Sequence, residues 1–196
     1  MHLFFYSLIL LMFFSGCAKT SAQAEFTIVM SGSMHGQLDP CGWKKNPLGG
    51  LSRRYVKVQE LRDDGKNPLI LDAGDLFFST TNLNDDNRKA EEFRAGAILD
   101  GLNQIGFDAI NIGKYELLNG LSFLKNMTSK IKTPFLSANL KNKKTNDLLF
   151  SPYLILEKND VTFGIVGVTS EAQDTSNIYY VDDFVDAGNK YIDEIK

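Results

Sequence analysis

The sequence predicts an α/β fold built on a parallel sheet. Short apolar runs lack the alternation of a half-exposed strand, amphipathic stretches separate them, and each run ends in a polar loop. The 196 residues are 43% hydrophobic and 23% charged. That balance suits one compact domain with a sizeable core and excludes a disordered chain. A formal net charge of -3 and a pI near 5.4 leave no basic field, so nucleic acid is not an expected partner.

The first segment stands apart from the fold. Leu3 to Phe14 is an uncharged apolar run of signal-peptide length, too short to span a bilayer, and Ser15, Gly16 and Cys17 follow it at once. Phe14-Ser-Gly-Cys17 resembles the lipobox of bacterial lipoproteins, which implies lipidation at Cys17. The domain reading is therefore a signal peptide over 1–17, a polar tether over 18–24 and a folded domain over 25–196. Cleavage after Ala24, which ends a small-x-small site, is the alternative. The lipid-anchored reading places the domain on the periplasmic face of a bacterial cell envelope.

Beyond the tether, Phe26 to Met30 is a β-branched apolar run that ends in Ser31-Gly32-Ser33, a strand and its loop. Leu51, Tyr55, Val58 and Leu61 form a helical stripe, with Arg53, Arg54 and Lys57 on the wet side. Pro68 to Leu71 is a second strand, closed by Asp72-Ala-Gly-Asp75. Ala90, Phe93, Ala97, Ile98, Gly101, Leu102 and Ile105 make the next helical face, and Asp108 to Ile112 the third strand. Leu117, Leu121, Leu124 and Met127 mark a third helix, and Pro134 to Ser137 a fourth strand. Tyr153–Leu156 and Val161–Val166, joined through Lys158-Asn-Asp160, read as a hairpin. Ligands of open α/β sheets bind outside the carboxyl ends of the strands, which selects three loops: Ser31 to Gly36, Asp72 to Asp75, and Gly113 to Glu116. In the second of them Asp72 is expected to accept backbone N–H bonds. Gly49-Gly50 with Arg53 and Arg54 is a candidate anion cradle or an ordinary helix start.

Five motifs follow in order: Ser-Gly-Ser-Met-His-Gly, Gly-Gly-Leu-Ser-Arg-Arg, Leu-Asp-Ala-Gly-Asp-Leu-Phe, Asn-Ile-Gly-Lys-Tyr-Glu-Leu and Leu-Ser-Ala-Asn-Leu. Together, from about Phe26 to about Ser170, they resemble the 5'-nucleotidase branch of the calcineurin-like metallophosphoesterases. The resemblance implies the N-terminal part of a two-sheet α/β sandwich. It also implies a pair of divalent cations, manganese or zinc, that activate water and neutralise a phosphoryl group. Carried over by position, His35 and Asp75 match metal ligands of the family. Ser33 stands where the family has an Asp, Lys114 where it has an Asn ligand, and Tyr115 where it has a His. A hydroxyl is a poor substitute for a carboxylate, and an ammonium accepts nothing. The chain has 2 His, and His2 falls in the signal, so His35 is the imidazole left to the domain. The expected protein is thus a truncated, degenerate pseudoenzyme on a hydrolase fold, acting as a binding or scaffold module. A residual metal-dependent phosphoester hydrolase is the alternative.

Within the degenerate site, Lys114 is expected to place its ammonium beside Asp75 in place of the cations, with a lysine pointing into solvent and an Asp75 that caps a helix as the competing readings, and His35 is expected to bond a backbone carbonyl. A third function class rests on Cys41, the thiol left after Cys17 is lipidated. Its loop resembles Cys-Gly-Cys or Cys-Gly-selenocysteine loops of a periplasmic nucleotidase-like group, with Trp43 at the second position; this implies a thiol or selenol redox role, and a small packed residue is the competing reading. The partners expected are the membrane, through the anchor, and a protein covering the truncated sheet, whose hairpin would otherwise present an apolar edge.

Overall fold

The computed structural model describes residues 26–42, 48–172, 174 and 176–196. The readings on Cys17, on the tether and on Trp43 lie outside the described residues. Four strands, β1 (Ile28–Ser31), β2 (Leu69–Asp72), β3 (Ala109–Asn111) and β4 (Phe135–Leu136), form a parallel sheet in sequential order. Helix α1 (Leu51–Asp63) connects β1 to β2, α2 (Arg88–Ile105) connects β2 to β3, and α3 (Gly120–Thr128) lies between β3 and β4. These crossovers are what parallel pairing requires. Ile70, Ile110 and Leu136 are almost wholly buried, with Val58, Ile98, Leu102 and Ile105 packed in the same core. Helices α1 and α2 close on each other at Gly101, where a Cβ would sit 2.0 Å from Leu51 Cδ2.

The remaining strands pair antiparallel in two small sheets. β5 (Leu140–Asn142) pairs with β8 (Tyr179–Val181), and β6 (Tyr153–Lys158) pairs with β7 (Val161–Val166). The β6–β7 turn has Asn159 at φ 53° and Asp160 at φ 60°, the left-handed pair that matches strand twist in a two-residue hairpin. Lys158 Nζ ties this hairpin to the parallel sheet, donating to Pro68 O at 2.7 Å and Asp108 Oδ2 at 2.6 Å. A last helix, α4 (Phe184–Ile195), is capped by Asp183, whose side chain accepts from the Val185 and Asp186 N–H groups. It lies on the hairpin, with Ile195 filling the space that a Cβ on Gly164 would need and Tyr153 Oη donating to Glu194 at 3.1 Å. Part of the apolar surface expected at the hairpin is thereby covered from within the chain, although Ile155 stays exposed.

Several side chains depart from the expected helix faces, exposed Ala90 among them. Tyr55 is 41% exposed and Phe93 81% exposed, while Glu91 is buried, its carboxylate accepting from Ser79 N and Ser79 Oγ. Arg54 is not on the wet side either. It reaches inward to Asp72, Nη1 to Oδ2 at 3.1 Å.

Candidate functional site

The loops after β1, β2 and β3 meet at the carboxyl edge of the parallel sheet. The first two zip together through the main chain: Ser33 N donates to Gly74 O at 2.8 Å, His35 N to Asp75 O at 2.9 Å and Gly36 N to Leu76 O at 2.8 Å. Ser33, His35 and Asp75 all have positive φ, at 51°, 46° and 58°. Left-handed conformations away from glycine carry strain and cluster at functional loops, with Asp and His the better tolerated types. Gly113 permits the third loop to approach, since a Cβ there would meet Asp75 Oδ1 at 2.3 Å.

Two buried carboxylates anchor this arrangement. Asp72 accepts from Gly74 N at 2.8 Å, Ser31 Oγ at 2.5 Å and Arg54, so its expected structural role holds and gains a cation. Burial pushes its pKa up, while those three partners pull it back. Glu116 is 0% exposed and accepts three main-chain N–H groups, from Asp75 at 2.8 Å, Leu76 at 2.5 Å and Gly113 at 2.8 Å. Burial pushes its pKa up to about 7; the three amides oppose that shift and the charge of Asp75 adds to it. Glu116, which ends the third selected loop, and Arg54, read as solvent-facing or part of an anion cradle, were named from sequence without these anchoring roles. The readable signal for Glu116 was an acid set between apolar Ile112 and Leu117.

The expected pairing of Lys114 with Asp75 is not what the structure contains. Asp75 Oδ1 accepts the Tyr115 N–H at 2.9 Å, capping the single helical turn Tyr115–Leu117. Lys114 is exposed, and its Nζ lies 5.4 Å from the centroid of the Tyr115 ring. The turn geometry satisfies Asp75 from the main chain and leaves the lysine stem to point outward. His35 departs as well: its ring meets the Tyr115 ring edge-on, with centroids 4.7 Å apart, and its main-chain N–H makes the hydrogen bond. Cys41 is an exposed free cysteine whose N–H and carbonyl pair with Leu48 at 2.9 and 2.7 Å, outside this cluster of loops.

No family model matches the chain. Individual relatives do. The 5'-nucleotidase of Vibrio cholerae is 32% identical over 178 residues, 84% of this chain and 30% of that protein. The chain is related to the 5'-nucleotidases. The human 5'-nucleotidase is 30% identical over 159 residues, 75% of this chain and 26% of its own length. The chain thus spans less than a third of these nucleotidase relatives. The NAD nucleotidase of Haemophilus influenzae has the same fold, with a TM-score of 0.71 at 22% identity over 88% of this chain and 32% of that one. The α/β class expected from sequence and the calcineurin-like phosphoesterase fold implied by the resemblance are both met.

A pair of divalent cations needs a set of carboxylate, imidazole or amide donors around one point. Among the described residues, no group of three or more His, Cys, Asp or Glu side chains is placed to hold a metal ion. Of the positions brought together, His35 and Asp75 carry such donors, Ser33 offers a hydroxyl and Lys114 a cation. That set does not fit a dinuclear centre. No helix among the described residues is long and apolar enough to cross a membrane.

Proposed function

We propose that this nucleotidase relative is a lipid-anchored module of the bacterial cell envelope, facing the periplasm, that binds a ligand or partner and does not hydrolyse phosphoesters. The observation that supports this is the internal closure of the loop cluster. Glu116 and the Tyr115 N–H hold the loops that metal ions would otherwise bridge, so the arrangement stands with Ser33 and Lys114 at two ligand positions. The anchor part of the reading rests on Cys17 and the apolar run before it, and a protein covering the exposed Ile28, Met30 and Ile155 side chains belongs to the same proposal.

Metal titration of the full chain with manganese and zinc, alongside hydrolysis of nucleoside monophosphates, tests it. No stoichiometric metal binding and no turnover are expected. Two ions per chain with turnover would establish the residual hydrolase instead. The combined changes Ser33→Asp, Lys114→Asn and Tyr115→His should raise metal affinity, because Asp tolerates the left-handed backbone at position 33 and Asn and His restore acceptor atoms.

A further inference from the structure

Strand β1 is an edge of the parallel sheet, with β2 on one side and no strand of the described residues on the other. Neighbouring residues of a strand send their main-chain groups to opposite sides. Leu69 N donates to Thr27 O at 2.9 Å and Ala73 N to Ser31 O at 2.7 Å, so the N–H and C=O groups of Ile28 and Met30 point away from β2. Their side chains are open as well, 52% and 71% exposed. We propose that β1 pairs antiparallel with β1 of a second copy of this chain, about a two-fold axis at Val29, and so joins two four-stranded sheets into one. This rests on the partner-binding part of the reading above and names the partner that covers Ile28 and Met30.

The strand is complementary to itself. With Val29 opposite Val29 of the second copy, Ile28 stands opposite Met30 on both sides of the axis, and each such pair exchanges two N–H···O bonds. The same pairs set Ile28 and Met30 side chains against each other on one face, the contact that stabilises neighbouring strands. Phe26 to Ser31 contains no charged residue and no proline, the features that normally keep an edge strand from pairing with a copy. The opposite edge of the sheet is blunted: Leu136 of β4 bridges Ser151, Ser137 N donates to Ser151 O at 2.9 Å and Ala138 N to Gly167 O at 2.7 Å. Alternation puts Phe26 on the face of Ile28 and Met30, and its ring lies 5.4 Å from that of Phe163, so the hairpin covers the start of β1. Past it, a groove of about 380 Å³ runs from Met30 over Leu71, Ala109 and Leu136 to Ile165 and Val168. The second copy's Ile28 closes the Met30 end of that groove. The anchored reading adds proximity. Pairing about Val29 leaves the two Phe26 residues about 20 Å apart, and Cys17 precedes Phe26 by a stretch that reaches about 30 Å at full extension. Both copies can thus hold one membrane, which raises their effective concentration.

The test is disulfide trapping of the full chain in bacterial membranes, in a Cys41→Ala background, with sedimentation velocity of the solubilised protein alongside. Val29→Cys is expected to cross-link two chains, because directly opposed residues that do not hydrogen-bond have Cα atoms about 4.5 Å apart, within disulfide reach. Thr27→Cys should not, since its counterpart in the second copy lies about 14 Å away along the strand. Met30→Lys should weaken the dimer roughly tenfold or more and abolish the Val29→Cys cross-link, whereas Met30→Leu should keep both; thermal melts of each variant show that the fold is kept. A chain that sediments as a monomer at every concentration and fails to cross-link at Val29→Cys would overturn the inference. So would a dimer that Met30→Lys leaves intact, or one that cross-links at Thr27→Cys and not at Val29→Cys. A Val29→Cys cross-link to a different polypeptide would assign this edge to another protein and overturn it as well. Each of these failures leaves the non-catalytic reading standing, because none bears on metal uptake or turnover, and turnover would defeat that reading while leaving the pairing intact.

Discussion

Asp72 and Glu116 anchor neighbouring parts of one loop cluster, and they are compensated in opposite ways. At the end of β2, Asp72 has a guanidinium, a hydroxyl and one amide. After β3, Glu116 has three amides and no cation, and the charge of Asp75 bears on it unfavourably. A carboxylate held by amides alone organises main chain at a cost in ionisation. One held by a cation keeps its charge more easily but links only what the cation's side chain reaches. In this molecule the amide-held residue joins the loop that carries Asp75 to the loop after β3, so the geometry of the site depends on it more than on the ion pair.

Removing Glu116 should have the largest effect. Glu116→Ala leaves three buried N–H groups without acceptors and a void in a fully buried position, and a loss of roughly 4 kcal/mol is expected in urea denaturation. Glu116→Gln keeps the volume and one carbonyl acceptor and should cost about half as much. An alanine variant as stable as the parent would mean that water replaces the carboxylate and that the loops are held elsewhere.

Next in size is the pH dependence. Glu116 has a folded pKa of about 7 against an ordinary value of 4.5, so the folded chain holds this proton more tightly than the unfolded chain. The stability it contributes is complete below about pH 4.5 and is lost as pH rises to about 7. The full difference is roughly 3 kcal/mol. Denaturation midpoints measured at pH 5 and pH 8 should fall between the two for the parent, and Glu116→Gln should flatten that fall. Asp72 is shifted in the same direction from 3.8, so its stabilising share is likewise complete at low pH and lost as pH rises.

How legible these two anchors were from sequence follows from what each depends on. The strands were readable because Leu69 to Leu71 is apolar throughout and Ala109, Ile110 and Ile112 carry the apolar character of the next run, a local property of a central parallel strand. The positions of His35, Asp75 and Lys114 at the strand ends followed from the same pattern and from the motif order. Arg54 was misplaced because helical spacing put it beside Arg53 and Lys57, whereas its partner Asp72 lies 18 residues away on a strand whose distance from α1 no spacing rule encodes. For Lys114 the competing reading held: charge complementarity favoured Asp75, but the single turn Tyr115–Leu117 offered that carboxylate a main-chain N–H and left the lysine exposed. The strands β5 and β8 went unread because three residues leave little periodic signal, whereas helix α4 went unread although Val185, Gly188, Ile192 and Ile195 recur at helical spacing on it.

The ion pair gives the smallest of these effects and the one that separates the two anchors. Arg54→Met removes the cation while its stem still covers the same apolar surface. Asp72, with its side chain 0% exposed, then keeps Ser31 and Gly74 as partners but no charge. Because the Arg54 side chain is 18% exposed, solvent already weakens the pair, and the expected cost near neutral pH is about 2 kcal/mol. Losing the cation should raise the Asp72 pKa further, so the variant carboxyl protonates at a pH where the parent is still charged. Parent and variant should therefore converge in stability as pH falls through the Asp72 titration, since a protonated carboxyl needs no counter-charge. Glu116 variants should behave otherwise, differing from the parent most at low pH, where the native proton on Glu116 contributes in full. Stability curves of Arg54→Met and Glu116→Gln that ran parallel across pH 4 to 8 would show that the two carboxylates are compensated alike.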